Sequence, residues 1–153
     1  MIHYYYGFGK GKTSSAVGAG MRAYGAGMSV LFVQFFKDNT SSERSVLPFE
    51  LAPCPNSLPF NVGDEYKDFV LDTVSRIKNS DKDVIILDEF ADLVPRFLSV
   101  EDMKALLVGD KEYIVTGHNY LPELADIAHY VTRFEKIKHP YDSGQPARKG
   151  IEY

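Results

Sequence analysis

A glycine-rich segment directly after a strand-like run dominates the start of this sequence. The run covers residues 2–6, and the segment that follows reads Gly7-Phe8-Gly9-Lys10-Gly11-Lys12-Thr13. Glycines allow the tight turns that bring backbone N–H groups to one side of a loop, and the small residues after Thr13 can begin a helix. The segment therefore predicts strand, loop and helix in succession, which is how many α/β domains with a parallel sheet begin.

The rest of the chain continues this alternation of strands and helices. Further apolar or β-branched runs predict strands at residues 30–36, 84–87, 113–116 and 130–133, with a shorter strand-like piece at 49–52. Helical patterns cover residues 12–24, 64–78, 100–107 and 122–128. The central runs are apolar throughout rather than alternating. They therefore predict an α/β fold with a mainly parallel central sheet, covered by helices on both faces.

Length and composition indicate a single globular domain over residues 1–153. Hydrophobic residues make up 44% and charged residues 25% of the chain, which excludes a disordered or fibrous protein. The 17 basic and 21 acidic side chains give a formal charge of −4, so the broad positive field of a nucleic-acid binder is not expected. The apolar runs are too short to span a bilayer, and the start of the chain does not resemble a signal peptide. With the single Cys54, interpreted as an inert thiol, these features predict a cytoplasmic protein.

Residues 37–63 form the longest connection between predicted elements. This stretch is rich in Ser, Asn and Pro, and its four prolines at positions 48, 53, 55 and 59 exclude a continuous helix. Connections beyond about 12–15 residues are usually binding loops, lids or disordered segments. We expect this loop to be mobile and to form part of a second substrate site.

The glycine segment and a later acidic pair together predict a nucleoside triphosphate site. Lys12 would reach the outer phosphates and the Thr13 hydroxyl would hold Mg²⁺, although Tyr6 replaces the first glycine of the usual Gly-x4-Gly-Lys-Thr pattern. Asp88 and Glu89 follow the apolar strand at 84–87, so they should reach the same sheet edge and bind Mg²⁺ directly or through water. Taken alone, such a pair is more often a helix cap or a solvated turn.

Several further motifs resemble the P-loop ATP:corrinoid adenosyltransferase family, and the resemblance covers most of the chain. They are Val33-Gln34-Phe35-Phe36-Lys37, residues 84–89, Val115-Thr116-Gly117, Leu124-Ala125-Asp126 and the tail at residues 138–153. The resemblance implies a P-loop NTPase (RecA-like) fold, ATP and Mg²⁺ as cofactors, a corrinoid co-substrate and a homodimer. It also implies transfer of the adenosyl group of ATP to a reduced cob(I) corrinoid, with release of triphosphate.

We assign expected roles to individual residues on this basis. The expected catalytic residues are Lys12, Thr13 and Glu89. The expected Mg²⁺ ligands are Thr13, Asp88 and Glu89. The residues expected to bind ATP or the corrinoid are Gly7, Phe8, Gly9, Lys10, Gly11, Lys12, Thr13, Ser14, Lys37, Phe60 and His118.

The chain also departs from the family pattern. It contains no tryptophan, although family members usually carry one in an aromatic pair before the long helix, where this chain has Phe60. His118 stands where the family often has arginine, and the residues that usually precede the first strand are missing. Phe60 can contact the corrinoid or pack on the following helix, and His118 can face the triphosphate or the solvent. A divergent P-loop ATPase or kinase and a non-catalytic ATP-binding module therefore remain alternatives.

Overall fold

The computed structural model describes residues 1–58 and 62–152, which form one six-stranded sheet with helices on both sides. The strands are β1 (Ile2–Tyr6), β2 (Val30–Gln34), β3 (Glu50–Leu51), β4 (Val84–Asp88), β5 (Glu112–Gly117) and β6 (Tyr130–Arg133). Their order is β3-β2-β4-β5-β1-β6, and every neighbouring pair is parallel. The predicted parallel α/β sheet is therefore confirmed.

Four α-helices connect the strands. They are α1 (Lys12–Gly25), α2 (Tyr66–Lys78), α3 (Val100–Leu106) and α4 (Pro122–Ala125). Short 3₁₀ turns lie at Ser42–Ser45, Phe90–Leu93 and Pro140–Ser143. None of the helices in the described part of the chain is both long and apolar enough to cross a membrane.

The two faces of the sheet carry separate hydrophobic clusters. On one face, Ala16 of α1 packs with Phe32, Ile86 and Ile114 of the central strands. On the other face, the cluster contains apolar residues of α2, α3 and α4. Because both faces of the central strands are covered, β2 and β4 are buried along their whole length. This explains why their sequences are apolar without alternation.

Several element boundaries differ from the sequence prediction, and α4 ends at Ala125 rather than at residue 128. β2 ends at Gln34 rather than at residue 36, because Phe36 adopts a left-handed backbone conformation with φ of 54°. The strand-like piece predicted at 49–52 is present as β3, and the long connection also contains the Ser42–Ser45 turn, which was not predicted. Phe60 falls in residues 59–61, outside the described residues, so its predicted role remains a prediction.

The sheet register brings the predicted site residues to one edge. Gln34 at the end of β2 pairs with Asp88 at the end of β4, and Tyr6 at the end of β1 pairs with Gly117 at the end of β5. Parallel strands present their carboxyl ends on the same side, which is where open α/β sheets bind ligands. The glycine segment, the acidic pair and His118 all follow these strand ends.

Two glycines of α1 offer a matched pair for testing how closely this helix packs on the sheet. A methyl group on Gly18 would meet no atom within 4 Å, whereas one on Gly20 would lie 2.5 Å from Ile86 Cδ1 and 3.2 Å from the Phe49 ring. We expect Gly18→Ala to stabilise the protein by about 0.5–1 kcal/mol, because alanine loses less backbone entropy in a helix. Gly20→Ala should instead cost about 1–3 kcal/mol through overpacking. Urea unfolding of the two variants measures this difference, and equal stabilities would contradict the packing described.

Candidate active site

The glycine segment forms a loop whose shape depends on glycine at specific positions. Gly7 and Gly11 have φ of 117° and 113°, a region that side chains disfavour. The Gly7 N–H donates to the carbonyl of His118 at 3.0 Å, and the Gly9 N–H donates to the carbonyl of Phe134 at 2.9 Å. A Cβ atom on Gly9 would lie 2.7 Å from the carbonyl carbon of Phe134. The loop is therefore packed directly against the segments that follow β5 and β6.

Lys12 is held beneath this loop. Its side chain belongs to the first turn of α1, and only 7% of the residue is exposed. The Nζ ammonium donates to the carbonyl of Gly7 at 2.8 Å and to that of Gly9 at 3.4 Å. Gly11 caps the helix without a side-chain hydrogen bond, and the first turn contains no acidic residue. The start of α1 thus combines a buried cation with backbone N–H groups that have no competing carboxylate.

Asp88 is the centre of a buried polar cluster on the other side of Thr13. It has no exposed surface, and its two carboxylate oxygens accept four hydrogen bonds. Oδ1 accepts from the hydroxyls of Thr13 and Thr116, both at 2.9 Å. Oδ2 accepts from the Lys37 ammonium at 2.6 Å and from the Gln34 amide at 3.3 Å. The carboxylate is therefore fully paired and oriented by strands β2, β4 and β5.

The Lys37 ammonium bridges Thr13 and Asp88, two of the three predicted magnesium ligands. Besides its ion pair with Asp88, it donates to the Thr13 hydroxyl at 3.3 Å. Burial alone would lower the pKa of Lys37, but the charge and hydrogen bond of Asp88, together with the Glu89 charge, outweigh it and raise the pKa above its usual value. Lys37 therefore remains a cation between these two oxygen donors.

Glu89 faces a different group of residues from its neighbour Asp88. Its backbone takes a left-handed conformation with φ of 58°, fixed by a hydrogen bond from its N–H to the Thr116 hydroxyl at 2.8 Å. The Oε2 atom lies 3.1 Å from Nδ1 of His118, and Asp92 Oδ2 lies 2.8 Å from the same nitrogen. The two consecutive acids thus face separate partners, Thr13 for Asp88 and His118 for Glu89.

His118 is held between these two carboxylates. Its backbone N–H also donates to Asp92, at 3.1 Å to Oδ1 and 3.0 Å to Oδ2. The hydrogen bond to Asp92 and then the close ionic contact to Glu89 raise the pKa of His118 to about 9. Burial raises the pKa of Asp92, but hydrogen bonds from His118 outweigh it and hold this pKa below its usual value. His118 is therefore an ion-paired side chain rather than a freely solvated one.

Two cavities open beside these clusters, and Phe36 borders both. The larger has a volume of about 1160 Å³ and connects Thr13 and Ser14 with Leu58 and Val62 of the long connection. The smaller has a volume of about 610 Å³, and its lining includes Phe8, Glu89, Asp92, His118 and Tyr120. The larger cavity is wide enough for a small ligand of nucleotide size.

The carboxyl-terminal segment contacts the phosphate loop. Glu152 accepts a hydrogen bond from the Lys10 ammonium at 3.2 Å, and it also pairs with the Arg148 guanidinium at 3.0 Å. These contacts hold the pKa of Glu152 down at about 2, with Arg148 as the main cause. Gly150 and Ile151 line the larger cavity together with Glu152. Lys10 therefore engages the chain's own tail in this structure.

The structure brings most of the predicted site residues to one edge of the sheet but divides them into two groups. Lys12, Thr13, Lys37 and Asp88 lie around the larger cavity and the loop, whereas Phe8, Glu89 and His118 lie around the smaller one. Ser14 is exposed in the larger cavity.

Sequence reasoning did not select three residues that contact these groups. Gln34 and Thr116 bind Asp88, and Asp92 binds His118. Gln34 and Thr116 are polar residues at the ends of buried strands, which is a signal the sequence does contain.

Comparison with known proteins agrees with this geometry. The family model described as ATP:corrinoid adenosyltransferase BtuR/CobO/CobP matches residues 1–153. Corrinoid adenosyltransferase CobA of Salmonella typhimurium (strain LT2) is 29% identical over 169 residues, covering 96% of this chain and 82% of the relative. A corrinoid adenosyltransferase of Pseudomonas aeruginosa is also 29% identical, covering 96% of this chain and 80% of the relative. One from Sinorhizobium sp is 26% identical, covering 96% and 77%. With the whole chain matched and the loop, the buried lysine and the acidic strand end all in place, this chain belongs to the ATP:corrinoid adenosyltransferase family.

Proposed function

We propose that this protein transfers the 5'-deoxyadenosyl group of ATP to a reduced cob(I) corrinoid and releases triphosphate. The observation that carries the proposal is the convergence of Lys12, Thr13 and Asp88 at one sheet edge beside a cavity of about 1160 Å³. Membership of the family supports the same reaction class. The larger cavity thus lies between the loop that carries Lys12 and the long connection at residues 37–63.

The phosphate chain of ATP would bind the loop between Gly7 and Thr13. Backbone N–H groups at the start of α1 and the Lys12 ammonium are the groups suited to phosphate oxygens. Lys12 now binds the carbonyls of Gly7 and Gly9, so phosphate oxygens would replace these weaker acceptors. Lys10 would join them by exchanging its contact with Glu152 for a phosphate.

The oxygen donors beside this loop fit a magnesium ion. Thr13 Oγ1 and Asp88 Oδ1 lie 2.9 Å apart, and hydroxyl and carboxylate oxygens are ligands that Mg²⁺ accepts. The same two side chains already hold the Lys37 ammonium, which supports the proposal of a cation beside them. Bound Mg²⁺ would neutralise charge on the phosphate oxygens. In this arrangement Glu89 acts on the site through its charge or through water, since its carboxylate faces His118.

The reaction makes limited demands on the protein. A cobalt–carbon bond forms at the ribose 5'-carbon while the carbon–oxygen bond to triphosphate breaks, and the electron pair leaves with the triphosphate. Cobalt(I) carries no proton, so its attack needs no general base. The residues described here would therefore act by positioning ATP and by neutralising the charge that accumulates on the leaving triphosphate.

The corrinoid would approach from the side of the long connection. Leu58 and Val62 provide apolar lining of the larger cavity, opposite Thr13 and Ser14. We also propose that Phe60, which lies between them in the chain, contributes to this surface. A cytoplasmic homodimer remains part of the proposal. The exposed edge strand β6, with Tyr130 and Val131 about half exposed, provides a surface that a second copy can cover.

An anaerobic product analysis tests the reaction. The protein is supplied with ATP, Mg²⁺ and chemically reduced cob(I)alamin or a smaller cob(I)yrinic precursor, and control reactions omit the corrinoid or the reductant. We expect the absorption spectrum of an alkylated corrinoid and an equal amount of intact triphosphate, both only in the complete mixture. Conversion of ATP to ADP at the same rate with and without the corrinoid would contradict the proposal and support ATPase activity. ATP binding without turnover of any reduced corrinoid would also contradict it.

A further inference from the structure

We propose that Glu89, Asp92 and His118 form a divalent-cation site of their own, distinct from the oxygen donors at Thr13 and Asp88. The three residues come from different places in the fold. Glu89 follows β4, Asp92 lies in the Phe90–Leu93 turn, and His118 follows β5. Each provides one ligand atom, and these atoms all lie within 4.8 Å of one another. Zn²⁺ binds such nitrogen and oxygen ligands at about 2.0–2.2 Å, so an ion placed among these three atoms would bind all of them.

A second, independent observation supports a cation at this position. Glu89 is only 9% exposed, and among the buried side-chain atoms of the described residues its Oε2 has no hydrogen bond. Nδ1 of His118 carries one hydrogen, and the shorter contact to Asp92 Oδ2 at 2.8 Å uses it. The 3.1 Å contact to Glu89 Oε2 is therefore ionic only. A buried carboxylate oxygen without a hydrogen bond is costly, and a bound cation would satisfy it.

The donor set indicates which ions this site would prefer. Two carboxylates and one imidazole suit Zn²⁺, Mn²⁺ or Co²⁺, whereas Mg²⁺ strongly favours oxygen ligands. The nitrogen donor therefore distinguishes this cluster from the all-oxygen pair at Thr13 and Asp88.

The cluster is open to solvent, and it would leave a bound ion with a free coordination position. All three residues line the cavity of about 610 Å³, and the His118 side chain is 46% exposed. Three protein ligands leave at least one position of the ion open to water or to an oxygen atom of a bound molecule, as in catalytic zinc sites.

Titration of the full chain with ZnCl₂ tests the site in the absence of ATP and corrinoid. The protein is first freed of metals with a chelator, and binding is followed by calorimetry. We expect one tight site in the parent protein, at least tenfold weaker affinity in His118→Ala, and a similar loss in Asp92→Asn, which keeps the side-chain shape. His139→Ala, which removes a partly exposed histidine elsewhere, and Thr13→Ala, which alters the proposed magnesium position, should keep the parent affinity.

The result does not depend on the proposed transferase reaction, since no substrate is present. Equal Zn²⁺ affinity of the parent and of a folded His118→Ala or Asp92→Asn variant would overturn the proposal, as would a loss of affinity in Thr13→Ala alone. A second measurement uses the parent protein only. Co²⁺ should produce visible absorption bands of a site with a nitrogen ligand, and Zn²⁺ should displace them. Absence of such bands at saturating Co²⁺ would equally overturn the proposal.

Discussion

Replacement of Lys12 by alanine is expected to reduce corrinoid adenosylation by at least about 100-fold, the usual cost of removing one group that stabilises a developing charge. The leaving triphosphate accumulates negative charge, and Lys12 is the buried cation directly beneath the loop that would bind it. No other ammonium contacts the Gly7 and Gly9 carbonyls in the part of the chain that the structure describes. Steady-state rates of triphosphate release measure the loss, with ATP affinity determined separately by calorimetry.

Lys10→Ala is the matched control for this prediction. Lys10 belongs to the same loop and carries the same charge, but its side chain is 49% exposed and pairs with Glu152. In the proposed complex Lys10 would contact a phosphate instead of Glu152, but its exposed ammonium stays largely in water. Because a solvent-exposed charge pair contributes little, we expect a loss of only a few-fold in the rate. If the two alanine variants lost the same activity, the special position of Lys12 beneath the loop would have no catalytic meaning. Circular dichroism of both variants verifies that the fold is retained.

Asp88→Asn is expected to destabilise the folded protein by about 3 kcal/mol, the cost of breaking a buried ion pair by removing one partner. The carboxylate of Asp88 accepts hydrogen bonds on both oxygens, whereas an asparagine presents one oxygen and one NH₂ group. An amide NH₂ group turned toward Lys37 and Gln34 would face two donors. Turned toward Thr13 and Thr116 it could be accepted by their hydroxyls, but the Lys37 ammonium would still lose its negative partner. Urea unfolding at neutral pH gives the free energy of unfolding.

Two further variants separate this effect from a general loss of charge. Glu43→Gln removes a partly exposed carboxylate that accepts a hydrogen bond from Gln34, and it should cost less than about 1 kcal/mol. Lys37→Met in the Asp88→Asn background removes the unpaired cation and should restore part of the lost stability. A double-mutant cycle over Lys37 and Asp88 then measures their coupling. A coupling near zero would contradict the ion pair as a stabilising contact.

The fold could be predicted from the sequence because short, local sequence patterns indicate each strand, loop and helix. The apolar runs of β2 and β4 indicate a sheet buried on both faces, and the glycines after β1 indicate a tight loop before a helix. Parallel strands then bring their carboxyl ends together, so the convergence of Thr13 and Asp88 could be predicted without coordinates. The family motifs reach along the whole chain and agree with the matched family.

The direction of individual side chains could not be predicted in the same way. Asp88 and Glu89 are both predicted to bind Mg²⁺, directly or through water, and that stays a prediction. The sequence could not indicate that the left-handed backbone of Glu89 places its carboxylate beside His118. A positive φ at a residue other than glycine depends on the tertiary environment, here the Thr116 hydroxyl. The pairing of Asp92 with His118 joins residues 26 positions apart and follows from the spacing of β4 and β5 in the sheet.

The position of β1 between β5 and β6 has a consequence for the order in which this protein can fold. Tyr4 pairs with Val115 of β5 on one side and with Val131 of β6 on the other. β1 is synthesised first, but it can pair only after β5 and β6 have been synthesised near the end of translation. The glycine loop after it also depends on the carbonyls of His118 and Phe134. Such distant pairings slow folding. Acquisition of nucleotide binding during refolding should therefore coincide with completion of the sheet, and so ATP binding can serve as a kinetic probe of the final folding step.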